Sequence, residues 1–379
     1  MDFPLLSGEG LGEGSILTEN TMSGLNVALL GVTHPHSAAH LRTLQALPEI
    51  EAIYLWDESA SALEDIRGQQ GQKVAGASTR LEDIVGRDDL VGAVLALPND
   101  IAPDACITAL QHGQHLMAEK PIGRTAADVE RVVRAADAAG RVLSVCYQNR
   151  QHPCSIEARN VVRSGMIGTL ISLEARMLTT QVRFRNPQHW LFSDARAGGG
   201  ILSWLGCHYL DMLRYVTGDE VVAVSAEMNT MSGEAIDVED VITIALRFRS
   251  GAIGVMHAGY MLALSGGGYH GSGYETYLGF RGREGRVYWD PVAKPPRLYA
   301  ESTRPDWSGA PVREFGFTLR DSPAYGGGHG EAFMRRFLQA CQSQGEPPTT
   351  GRDALAVARI VDAAYESSRT GRRVAVEPV

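Results

Sequence analysis

Residues 26–40 read "NVALLGVTHPHSAAH". The apolar run 27–30 has the composition of a buried strand, and from Ser37 onward the spacing turns helical through "SAAHLRTLQAL". The same strand–helix step recurs downstream. "IEAIYLWD" is a second strand ending in Asp57. An alanine- and glutamine-rich helix, a short helix in "RLEDIVG" and the strand "VGAVLALP" come next. A helix over 102–112 leads to a strand ending at Glu119. The helix in "TAADVERVVRAADAAG" stops at Gly140, and "RVLSVCYQ" closes the series near residue 148. Strands alternating with helices over about 120 residues predict an α/β, doubly wound parallel sheet. In such sheets ligands lie outside the carboxyl ends of the strands.

After residue 150 the texture changes. A helix (153–164), a strand (169–180) and a helix around 201–216 precede the runs "VVAVSAEM", "VITIALRF", "GAIGVMHAGY", "YETYLGFRG" and "GRVYWD". These predict an open antiparallel sheet with one covered face. The Pro- and Gly-rich stretch 291–328 carries little pattern, and helices over 330–343 and 352–370 end the chain. The expected organisation is a flexible arm (1–24), a dinucleotide-binding domain (25–150) and an α+β domain (151–379) whose last helices can pack back on the first. The arm also reads as an extension upstream of a start nearer Met22.

The 379 residues suffice for two cores. A formal charge of −9 argues against a nucleic-acid partner. The absence of any apolar run near ~18 residues argues against a membrane span. Five scattered cysteines without a CxxC pair (Cys106, Cys146, Cys154, Cys207, Cys341) suit reduced thiols and a cytoplasmic setting.

A dinucleotide fold usually follows its first strand with GxGxxG. Here Gly31 stands alone, with Thr33 and His36 near the places of the later glycines. Pro35 suits a first helical position, and the hydroxyls of Thr33 and Ser37 are candidates to hold a phosphate beside the free N–H groups. His34, His36 and His40 suggest a metal site, but no acid or thiol stands beside them in sequence, so none is expected. Asp57, twenty-six positions after Gly31, ends its strand where a carboxylate accepts from a ribose 2′-hydroxyl. That favours NAD over NADP; a helix N-cap is the alternative.

"LALPND", "HGQHLMAEKP", "VCYQNR" and "GGGILSWLGCHYLDMLRYVTGD", in this order, resemble the Gfo/Idh/MocA family of oxidoreductases, which includes glucose–fructose oxidoreductase and inositol dehydrogenases. The likeness runs from about residue 25 to 375. It implies a Rossmann domain, a C-terminal domain on an open sheet, and NAD(P)-dependent redox chemistry on a sugar, polyol or related compound. By position, Lys120 matches the lysine of the family's EKP step, which contacts substrate and cofactor and assists proton movement. Glu119 matches the acid beside the nicotinamide ribose, Pro98 and Asn99 a pair lining the cofactor, and Gln148 a position near the nicotinamide. His208 matches the histidine that exchanges a proton with the reacting hydroxyl. To act as a base, Lys120 must first lose its own proton, which burial and a cationic nicotinamide favour and Glu119 opposes.

One position breaks the pattern. The family helix carries Asp four residues before its histidine; here Trp204 stands there. The i, i+4 spacing predicts the indole beside His208, where it donates one hydrogen bond and accepts none. Three outcomes follow: His208 works with Lys120 alone while Trp204 shapes or stacks on a sugar ring, which is the expected one; another acid such as Asp211 replaces the missing carboxylate; or hydride transfer is lost. Arg150 joins Lys120, Trp204 and His208 as a candidate substrate contact. Tyr147, Asn149, His152, Arg183, Arg185, His189 and His329 are read as fold contacts or solvated groups.

The expected protein is an NAD-dependent oxidoreductase of a polyhydroxylated substrate with Lys120 and His208 handling the proton, and a homodimer or homotetramer. The alternatives are a redox-assisted glycosidase or lyase that retains its NAD, and a non-catalytic NAD- or sugar-responsive regulator.

Overall fold

A computed structural model describes residues 23–70, 72–264 and 273–379; the arm expected at the N-terminus falls almost wholly outside them. The first sheet holds β1 (Leu25–Leu30), β2 (Ile50–Trp56), β3 (Val74–Ser78), β4 (Leu90–Leu95), β5 (Leu116–Ala118) and β6 (Leu143–Val145). All are parallel, in the order β3-β2-β1-β4-β5-β6. The order reverses between β1 and β4, so the carboxyl ends of those strands form the crevice where such folds take ligands. β3 is absent from the sequence reading: "VAGAS" is a short, half-exposed edge strand of small residues with little strand preference.

The second sheet runs β14-β13-β12-β11-β7-β10-β9-β8-β15. Its strands are β7 (Leu170–Thr180), β8 (Val221–Asn229), β9 (Val241–Phe248), β10 (Ile253–Leu262), β11 (Tyr274–Gly282), β12 (Gly285–Trp289), β13 (Arg297–Ser302), β14 (Val312–Gly316) and β15 (Val374–Ala375). The sheet is mixed rather than purely antiparallel, because β7 and β10 pair in parallel at its centre. β13 and β14 occupy the stretch that looked patternless. Prolines at 295, 296, 305 and 311 flank them, yet Leu298, Ala300 and Ser302 alternate inward.

Helix Gly328–Cys341 belongs physically to the first sheet, while helix Gly351–Thr370 bridges the two, packing on helix Ala126–Ala139 and β6 and, most extensively, on β8 of the second sheet. In helix Gly328–Cys341, Phe333, Met334, Phe337 and Leu338 complete the cluster of Val27, Leu29, Ile53 and Leu55. Helix Gly351–Thr370 starts with a capping box of Thr350 and Asp353, just after Thr349, whose hydroxyl receives the Val145 N–H. Gly31 sits at φ +94°, and a Cβ there would lie 2.2 Å from the Ala96 carbonyl oxygen. Only glycine lets the first turn pass under β4 so closely.

Candidate active site

Asp57 governs the first turn. Its Oδ2 accepts from the Val32 N–H (2.8 Å), the Thr33 N–H (3.2 Å) and the Thr33 hydroxyl (3.2 Å), while Oδ1 accepts from the Ser59 N–H. The N-cap role belongs instead to Ser59, whose hydroxyl receives the Ala62 N–H. A carboxylate has about four acceptor sites, so Oδ1 keeps one for a ribose hydroxyl. The hydroxyls expected to hold phosphate are already donating: Thr33 to Asp57, Ser37 to the Gly31 carbonyl at 2.8 Å. Pro35 precedes the helix cap at His36 rather than opening the helix. The His36 N–H is bound by the His34 ring. Among the described residues this leaves the Ala38 and Ala39 N–H groups of the first turn for an anion. Gly31's close pass, the open lone pair on Asp57 and these N–H groups fit the adenosine and phosphate end of NAD.

Glu119, at the end of β5, turns back to the same helix. Its Oε1 lies 2.7 Å from His40 Nε2 and 3.2 Å from His36 Nδ1. Burial pushes this carboxyl up, but the two imidazoles outweigh it and hold Glu119 well below the usual carboxylate range. Burial also lowers the pKa of His36, against the pull of Glu119. The sequence offered no acid or thiol beside the histidines; the fold supplies both, since His40, Glu119 and Cys146 bring ligand atoms within 4.8 Å of one another. His40 and Glu119 are in direct hydrogen-bond contact, closer than the roughly 3.3 Å that separates ligand atoms around a tetrahedral zinc. The arrangement is thus a hydrogen-bonded network.

Lys120 is 1% exposed. Its Nζ donates to the Trp204 carbonyl at 2.8 Å and lies 3.8 Å from the centre of the Trp204 ring. Trp204 belongs to a π-helical turn, Leu202–Gly206, which runs into helix Cys207–Thr217; such turns recur at functional sites. This segment is anchored by Glu239, whose carboxylate accepts from the Gly200 and Leu202 N–H groups. A Cβ on Gly200 would lie 1.9 Å from the Glu239 carbonyl oxygen, which accounts for the last glycine of the triplet.

The indole faces the first turn: it stacks on His36 (5.1 Å, 26°) and meets His34 and Trp190. The ring contact of His208 is instead with Tyr147, edge-on at 5.7 Å. His208 Nδ1 and Trp204 Nε1 are buried without a hydrogen-bond partner. Burial first, and the Lys120 charge second, keep His208 well below the ordinary imidazole value, so it stands neutral.

Of the other predicted contacts, Asn99 donates across to the Ala197 carbonyl at 2.7 Å and joins the two domains. Pro98 is buried beside it, and its carbonyl receives the Ile101 and Ala102 N–H groups. Gln148 accepts from Cys146. Arg150, expected to touch substrate, is engaged inside the fold. Its guanidinium is bound by both oxygens of Asp211 (2.9 and 2.5 Å) and by Asp353 at 2.9 Å. The sequence reading missed Trp190 and Tyr325. Tyr325 packs on His36 at 4.8 Å, and its position just before the glycines 326–328 was the available signal.

His152 and His329 face each other at 5.2 Å. His152 caps helix Pro153–Arg163 through Nδ1. Burial lowers both to about 4, with the His329 charge adding to the effect on His152. The unfolded chain takes up these protons near pH 6.5, well before the folded one. Their contribution to stability is therefore full above about pH 6.5 and is lost as the pH falls toward about 4. Thermal melts are expected to drop by a few degrees between pH 7.5 and pH 5. His152→Asn keeps a capping acceptor and removes part of that slope.

Two family models match the chain: the oxidoreductase family with an NAD-binding Rossmann fold over residues 25–147, and the GFO/IDH/MocA C-terminal domain over residues 156–287. Levoglucosan dehydrogenase of Pseudarthrobacter phenanthrenivorans is 26% identical, over 92% of this chain and 97% of its own. Inositol 2-dehydrogenase of Rhizobium meliloti is 23% identical, over 89% and 95%. A solved levoglucosan dehydrogenase complex with NADH and levoglucosan shares the fold at a TM-score of 0.82 and 23% identity, over 93% of this chain and all of that one. Since the two family models together span more than half of the sequence, the chain belongs to the Gfo/Idh/MocA oxidoreductase family, with an NAD-binding Rossmann domain joined to the family's C-terminal domain.

Proposed function

We propose that the protein interconverts a carbinol and the corresponding carbonyl carbon of a cyclic polyhydroxylated compound, oxidising the first with NAD or reducing the second with NADH. One observation carries this reading. A buried amine, Lys120, follows a strand of the first sheet at its carboxyl end, and its charge is felt by a buried imidazole with an unpartnered nitrogen, His208. The relatives' names supply the substrate class: levoglucosan, 1,5-anhydro-D-fructose and inositol are all hydroxylated rings.

NAD, when bound, supplies the hydride acceptor. Asp57 Oδ1 would hold its ribose; Pro98, Asn99, Glu119 and Gln148 would flank its nicotinamide end. His208 Nδ1 takes the hydroxyl proton, and Lys120 donates to the same oxygen and stabilises the negative charge that develops there. Burial of both groups keeps water away from them. Among the described residues no helix is long and apolar enough to cross a membrane. We place the protein in the cytoplasm on its unpaired cysteines. The second sheet's open face, where Ile253 and Val255 are exposed, is a surface on which we expect two subunits to pair.

The test is calorimetry with NAD and NADP, followed by a screen of inositols, anhydro sugars and ketoses at the NADH absorbance band. NAD is expected to bind at least tenfold more tightly than NADP, with NADH formed from a free polyol. No NAD binding at millimolar concentration overturns the reading. Product without net NADH, and NAD that survives dialysis, replaces it with a retained-cofactor lyase or glycosidase.

A further inference from the structure

We infer that Trp204, which stands where the family pattern has an aspartate, is the residue that positions Lys120, holding it with its carbonyl and its indole face. A buried lysine amine is costly unless its charge is compensated. Among the described residues no carboxylate lies within ion-pair distance of Lys120 Nζ. Glu119, its neighbour in sequence, faces His36 and His40 instead. The compensation comes from one residue on two sides. The Trp204 carbonyl accepts a hydrogen bond at 2.8 Å, and the electron-rich indole face lies 3.8 Å below the amine.

The indole is itself held in place. It stacks on His36, meets His34 and Trp190, and sits in a helical turn tied down through Glu239. A carbonyl has two lone pairs, so receiving Lys120 costs no helical bond. Both partners attract a cation, and neither takes its proton. Lys120 therefore enters the reaction as a fixed hydrogen-bond donor, and His208 is left as the proton acceptor. These assignments of roles rest on the proposed oxidoreductase reading; the geometry of the pair does not.

The chain has only three lysines, Lys73, Lys120 and Lys294, so selective 13C labelling at lysine Cε gives a spectrum of three signals. Loss of one in Lys120→Met assigns it. Protons over an indole face are shifted upfield, so the Lys120 signal is expected upfield of the other two. It is expected to move back in Trp204→Leu and only partly in Trp204→Phe. With a polyol that the wild type turns over, kcat is expected to fall about 3- to 30-fold in Trp204→Leu, the range of one desolvated cation–π contact. KM should stay within about twofold, and Trp204→Phe, which keeps an aromatic face, should recover part of the loss.

A Lys120 signal level with the other two in the wild type overturns the proposal, as does one unchanged in Trp204→Leu. If Trp204→Leu does not fold, the wild-type shift and its partial return in Trp204→Phe decide. The spectrum needs neither NAD nor substrate. An upfield signal in a protein that turns over no polyol upholds the clamp while the proposed function fails.

Discussion

Lys120→Met gives a folded protein whose turnover is lower by roughly 10²–10⁴-fold, the usual weight of one general acid–base or charge-stabilising group. Methionine is unbranched and of similar length, so it fills the same buried space and keeps a favourable sulfur contact with the Trp204 ring. What disappears is the charge and the donor. Glu119 keeps His36 and His40 and gains no orphaned charge from the change. Replacing a buried cation by an apolar side chain is often neutral or stabilising, so the melting temperature is expected to hold or rise while kcat collapses. Steady-state kinetics and a thermal melt on one preparation check both halves. Turnover within about threefold of wild type would remove Lys120 from the chemistry, and a large loss of stability would mean that its role is structural.

The parts of this molecule that were legible in advance are those where one local rule dominates. The first sheet could be traced because each of its longer strands is a mostly apolar run followed by a helix, and Gly140 stops its helix at φ +61° as expected. The site at the end of β5 was found because a charged pair emerges from a buried strand. What stayed hidden depends on partners distant in sequence. Asp57 could not be seen to spend most of its acceptor capacity on Val32 and Thr33, since the twenty-five positions that separate Val32 from Asp57 are silent about that turn. The turn of Trp204 toward the first helix follows from a π-helical segment, which has no signature in spacing. Glu119 and Cys146 meet His40 only because β5 and β6 end side by side.

Arg150→Ala is the substitution expected to cost most in stability, about 3–5 kcal/mol, the range for removing one partner of a buried ion pair. Arginine after a strand end near a cleft reads as a substrate hook, because an exposed guanidinium is a good one. Here the fork is closed from both sides. Asp211 grips it with two oxygens from helix Cys207–Thr217, and Asp353 adds a third contact from the start of the last helix. Burial pushes the Asp211 carboxyl up, and Arg150 is the main opposing influence. Removing the arginine leaves a buried acid with its strongest partner gone. The same helix carries His208 three residues earlier, where its ring meets Tyr147 edge-on. The denaturation midpoint is therefore expected to fall sharply, while the folded fraction keeps its KM for substrate within about twofold. Adding Asp211→Leu to Arg150→Met, which replaces both charges by apolar groups, should recover much of the loss. A KM raised tenfold with stability unchanged would return Arg150 to the substrate.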